Sequence, residues 1–199
     1  MTGRNCITTA EDGKLRVSPA SRNSMQKILV LVLCSAVVLT FRSTCRAADF
    51  AWWVDWSMRP TGTEVEGVPV SVLNPKWRHA SVIRESDLPA ASRQPGERPE
   101  DNGAVFSVDI DLDGDRHNEK AVVGVFETAQ GTIGRFLLVL GRGGSAGGWT
   151  KKALFSVNDS SPFSAIRIVQ GTLHWVGCFE CDDDCTVIRS KSGLFRLHC

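Results

Sequence analysis

The chain has 199 residues and a formal net charge of +1, with 42% hydrophobic and 23% charged residues, proportions of a folded globular protein rather than a disordered one. The charge is uneven: Ala48–Cys199 carries 16 basic and 20 acidic residues, a net charge of −4. No polybasic run survives in that part, which argues against nucleic acid as a partner. Its roughly 150 residues make one domain able to bury a core.

Residues 1–24 are polar and aperiodic and read as a spurious or disordered extension ahead of a true start at Met25. From there Met25-Gln26-Lys27 leads into an apolar stretch, Ile28 to Phe41, followed by Arg42 and a small-residue site at Cys45 and Ala47. That stretch is too short to span a bilayer comfortably and has the length of a signal-peptide core, so residues 25–47 are expected to be cleaved before Ala48. The competing reading is an uncleaved anchor. Cleavage implies a secreted or periplasmic protein with no stable membrane span, and it removes Cys6, Cys34 and Cys45.

The mature region, 48–199, reads as mainly β: an antiparallel meander, sandwich-like or partly propeller-like, with a few short helical turns. Trp52, Trp53 and Trp56 open it as a packed core strand or, alternatively, as exposed indoles for a sugar or a partner protein. Short apolar or β-branched runs then predict strands over 65–72, 104–110, 121–126, 136–140, 153–157, 165–169, 173–178, 186–189 and 194–197. Asn74-Pro75 predicts a short helix reaching about Ala80, and Ser86 to Pro89 a single turn. Pro89 to Gly103, rich in Pro, Arg and Glu, reads as an exposed loop or internal linker. Gln170-Gly171-Thr172 and Ser190 to Gly193 are hairpin turns. Gly141 to Gly148 follows a strand, but no helix signal follows it, so a hairpin loop is the better reading than a phosphate-binding turn.

The most informative stretch is Asp109 to Glu119, five carboxylates in eleven residues, with Ala121 to Val125 directly behind it. Acids so crowded repel one another unless a cation sits among them. A frame starting at Asp109 gives Asp at positions one, three and five and Gly114 at six, but position twelve is Lys120, where an EF-hand requires a bidentate Glu, and the flanks are strand-like. A frame starting at Asp111 supplies side-chain oxygens from Asp111, Asp113, Asp115 and Glu119 and the backbone carbonyl of His117. Oxygen ligands on a flexible loop suit calcium better than magnesium, which insists on a small octahedral shell. The unliganded alternative is a solvated loop neutralised by Arg116, Lys120 and Arg135.

In that second frame, Asp111 to Gly124 resembles the calcium loop of FG-GAP or VCBS-type repeats, over about residues 105–125. The resemblance implies a calcium loop between two antiparallel strands, usually structural and found in extracellular adhesion or recognition proteins. Arg116 stands where that family typically has a second Gly, so its backbone must tolerate the left-handed region. The chain also has one copy of a unit that the family repeats, and this excludes a full propeller of similar repeats.

Cys178, Cys181, Cys185 and Cys199 remain after cleavage, an even number that predicts two disulfides in an oxidising compartment. A Cys178–Cys181 bond would close a very small loop, so the expectation leans towards Cys199 tying the last strand to the Cys178–Cys185 segment. Zinc bound by Cys178, Cys181, Cys185 and His198 or Cys199 is the alternative, and redox chemistry at Cys178-Phe-Glu-Cys181 a third. The four histidines are scattered and no serine lies in a nucleophile-elbow motif. The functional expectation is therefore an exported, calcium-binding, non-enzymatic interaction protein with a protein or glycan ligand outside the cytoplasm. The alternative is a small exported hydrolase, or a periplasmic inhibitor or immunity-type protein acting on one.

Overall fold

A computed structural model describes residues 51–143, 147–159, 161–181 and 184–199. The extension expected over 1–24 and the signal peptide expected over 25–47 lie outside them. In chain order come α1 (Trp52–Asp55), β1 (Glu64–Val65), β2 (Val68–Pro69), α2 (Val70–Leu73), β3 (Trp77–Val82), three 3-10 turns between Glu85 and Asn102, β4 (Ala104–Val105), β5 (Ser107–Ile110), β6 (Glu119–Thr128), β7 (Ile133–Arg142), β8 (Trp149–Asn158), β9 (Ala165–Val169), β10 (Thr172–Val176), β11 (Cys185–Arg189) and β12 (Phe195–His198). The protein is mainly β, and every strand pair is antiparallel.

The first five-stranded sheet is β3-β6-β7-β8, with β5 also paired to β6. β3 takes the second half of one edge of β6, pairing Trp77 to Val82 with Thr128 to Gly124, and β5 takes the first half, pairing Ser107 to Ile110 with Val122 to Glu119. Val123 bridges the junction: its N–H donates to Phe106 and its carbonyl accepts from Ile83. The second sheet, β12-β11-β10-β9-β4, is built from the late hairpins.

One face of the first sheet, through Ala121, Val123, Val125 and Leu137, shares a core with Ile166, Leu173, Trp175 and Val187 of the second sheet. Its other face, through Val122, Phe126, Phe136 and Leu138, is covered by Val65, Val68, Val70, Leu73 and Trp77. Burial on both sides explains why β6 and β7 read as continuous apolar runs rather than alternating ones. Phe126 and Phe136 fit because each faces a glycine across the ladder, Gly134 and Gly124. A Cβ on Gly124 would lie 2.4 Å from the Phe136 ring, and one on Gly134 would lie 2.5 Å from the Phe126 ring. Trp77 then stacks on Phe126, with centroids 4.2 Å apart and planes within 7°.

Several local expectations are corrected. The strand expected over 65–72 is a β1–β2 hairpin followed by one helical turn, because Glu66 and Gly67 take positive φ, 51° and 78°, and turn the chain. No helix runs from Asn74 to Ala80. Asn74 is extended, its side chain caps the Lys76 N–H at 3.0 Å, and Trp77 starts a strand drawn in by its stack on Phe126. The tryptophan segment forms a helical turn rather than a strand, although it is core as expected: Trp52, Trp53 and Trp56 are all buried. Residues 89–103 are mostly exposed, as expected, but are tied to the fold rather than a free linker: Ser92 and Pro99 are buried, and the Trp52 indole donates to the Glu97 carbonyl at 3.0 Å.

The hairpin turns lie where expected. Gln170 and Gly171 take φ of 51° and 77°, and the turn to β12 closes with Ser190 N–H donating to Leu194. Residues 144–146 of the β7–β8 connection lie outside the described residues. Cys199 ties the last strand back to the Cys178–Cys185 segment, but through Cys185, with Cys178 and Cys181 bonded to each other, the pairing that the argument from loop size disfavoured. The four-residue span holds its Cα atoms 5.6 Å apart, within the ordinary reach of a disulfide. Bonded sulfurs are not thiolates, so the zinc arrangement is overturned as well.

Candidate metal centre and its lysine

The acidic loop connects β5 to β6, and the pair Ile110–Glu119 closes it. Gly114 and Arg116 take φ of 77° and 69°, so the arginine adopts the left-handed backbone required of the position. The reversal points amide N–H groups inward. Asp111 accepts from Gly114 at 2.7 Å and from Arg116 at 3.0 Å, Asp113 accepts from Asp115 at 3.2 Å, and Asp115 accepts from His117 at 2.8 Å. These bonds turn short side chains back over their own loop, as Asx turns do. The result is one cluster, with carboxylate oxygens of Asp111, Asp113 and Asp115 all within 4.8 Å of one another.

The other sequence-predicted ligands sit differently. Asp109 is exposed on β5, opposite Lys120 in the ladder, and is not one of the clustered residues. The ligand expected of His117 is its backbone carbonyl rather than its side chain, and its exposed imidazole has Nδ1 3.3 Å from Asp115. Glu119 is 1% exposed and turned inward. One of its oxygens accepts the Leu112 N–H at 2.9 Å, and the other lies 2.5 Å from Lys152 Nζ. The same ammonium reaches Asp113 at 3.0 Å.

Lys152 owes its position to an irregularity in β8. Val139 pairs with Ala153 and Leu140 with Lys151, so Lys152 is the extra residue of a bulge. A bulge re-aims a side chain without ending the strand. Here it places Lys151 and Lys152 in different company: Lys151 donates to the carbonyls of Val72 and Leu73, and Lys152 serves the acidic loop. Gly141 makes room for the lysine stem, since a Cβ there would lie 2.3 Å from Lys152 Cε. From the second sheet, Arg189 of β11 donates to the Asp113 carbonyl and adds another cation to the loop.

Protonation follows these contacts. The Lys152 hydrogen bond holds the Asp113 carboxyl below its usual range, helped by the positive charge of Lys152 and by the Asp115 N–H. The hydrogen bond to Glu119, and then that to Asp113, raises Lys152 above its ordinary value against the opposing effect of burial. The centre thus presents an oxygen-only cluster of three aspartates with an ammonium on its inner side, a donor set that suits a hard divalent cation. Glu119 is engaged by Lys152, and a cation using it would have to displace that ammonium.

Neither Lys152 nor Arg189 was singled out from the sequence. Both lie far along the chain from the loop, and only strand pairing and the bulge bring them to it. Compared with protein-family profiles, curated proteins and solved structures, the chain matches none.

Proposed function

We propose that the 109–119 loop binds one calcium ion through Asp111, Asp113 and Asp115, and that the protein is a non-enzymatic interaction module acting outside the cytoplasm. The convergence of the three aspartates, with Gly114 and Arg116 both in the left-handed region, carries this reading. It accords with the resemblance to the calcium loop of FG-GAP and VCBS-type repeats. Two disulfides fit an oxidising compartment, and among the described residues no helix is long and apolar enough to cross a membrane. With Glu119 engaged by Lys152 and the loop at the surface, the expected dissociation constant is on the order of 10⁻⁴–10⁻³ M, the range of extracellular calcium modules.

Calcium binding would stabilise the fold by mass action, because the unfolded chain does not present the three carboxylates together. The test is a calorimetric titration of the full oxidised chain with calcium, paired with melting curves in calcium and in chelator. One saturable site and a higher Tm in calcium are expected, and Asp111→Asn should abolish both. No binding heat and superimposable melting curves would refute the proposal.

A further inference from the structure

The Cys178–Cys181 bond encloses Phe179, and Phe179 is part of the core rather than of the surface. It is 8% exposed, with its ring centroid 5.0 Å from Trp53, 5.1 Å from Phe163 and 5.9 Å from Trp52, all in edge-on arrangements. Arg167 donates to the Phe179 carbonyl at 3.3 Å. The two bonded cysteines lie beyond the end of β10, in a segment with no strand of its own, and Cys181 is exposed. The other disulfide is held differently. Cys185 pairs with Trp175 on β10, and β11 pairs with β12 from Thr186–His198 onward, so the ladder keeps Cys185 and Cys199 adjacent whether bonded or not.

We propose that Cys178–Cys181 is a redox-sensitive latch on the aromatic core, with Cys185–Cys199 as the permanent structural bond. An external dithiol supplies the electrons. Its thiolate attacks Cys181 Sγ, the sulfur–sulfur bond breaks, and Cys178 leaves as a thiolate that takes up a proton. The second thiol of the reagent then attacks the mixed disulfide, releases Cys181 as a thiol and closes its own disulfide, so one disulfide is reduced and one dithiol oxidised. Reduction frees the backbone on both sides of Phe179. Trp52 and Trp53 then lose a packing partner, and the slot between them and Phe163 opens to solvent.

Strand pairing sets the order of reduction: the ladder holds Cys185 beside Cys199 after their bond is cut, so that bond re-forms readily, whereas among the described residues no strand holds Cys178 beside Cys181.

The experiment exposes the oxidised full chain to graded dithiothreitol at neutral pH and traps free thiols by alkylation for mass spectrometry. Tryptophan emission and far-ultraviolet circular dichroism are followed in parallel. Alkylation of Cys178 and Cys181 is expected at lower reductant than that of Cys185 and Cys199, with a red shift of emission at this first stage and unchanged strand content. A Cys178→Ser, Cys181→Ser double variant should show the same red shift without reductant. Simultaneous reduction of both bonds, earlier reduction of Cys185–Cys199, or a first stage that leaves emission unchanged would overturn the proposal.

Discussion

Two connections of this molecule hold their shape by opposite means. The 109–119 loop is tied by charge: backbone N–H groups cap its aspartates, and Lys152 sits between Asp113 and Glu119. The 177–181 segment is tied by a covalent bond and by one aromatic anchor, and Arg167 pairs with Asp184 at 3.5 Å. Polar restraint would make the first loop responsive to ions and pH, whereas covalent and apolar restraint would make the second responsive to reductant and to core packing.

The sharpest break of this contrast is Phe179→Ala, which removes the aromatic anchor from between Trp53 and Phe163. It should destabilise the fold by about 4 kcal/mol in denaturant titrations, equally with and without calcium. Lys152→Met comes next. It strands the buried Glu119 carboxylate without its cation and should cost about 3 kcal/mol in chelator. Added calcium should recover part of that loss, whereas no recovery would separate the ammonium site from the metal site.

Replacing Cys178 and Cys181 by serine should cost about 2 kcal/mol, the amount a small ring removes from the unfolded chain, and should leave calcium affinity unchanged. The smallest effect is on pH dependence. Asp113 holds its proton less tightly in the folded state, so its contribution is present above its ordinary 3.8 and is lost as pH falls below that through the lowered folded value. Lys152 holds its proton more tightly, so its contribution is complete below 10.5 and is lost as pH rises through the raised folded value. Asp113→Asn should blunt the acid limb of the stability profile measured by thermal melting, and leave the stability of the Cys178–Cys181 bond to reductant unaltered.

The strands were legible because sheet burial leaves a local mark. Ala121 to Phe126 and Phe136 to Leu140 are apolar without interruption, and Gly171 and Gly193 punctuate the hairpins. The acidic loop was legible for a similar reason, since its N–H caps join residues two to five apart. The Asn74 segment was misread because a proline after a capping residue marks a turn as readily as a helix start. Its extended continuation depends on Phe126, about fifty residues further along the chain.

Sequence alone thus determined the mainly β character, the hairpins and the turn that gathers Asp111, Asp113 and Asp115, because each rests on periodicity or on bonds between near neighbours. Tertiary structure decided the two-sided burial of β6 and β7, the fitting of Phe126 and Phe136 against glycines, the seating of Phe179 among tryptophans, and the delivery of Lys152 and Arg189 to the loop. Those outcomes depend on which strands pair and where one of them bulges. Such choices are made by the whole core at once, and no short stretch of the chain records them.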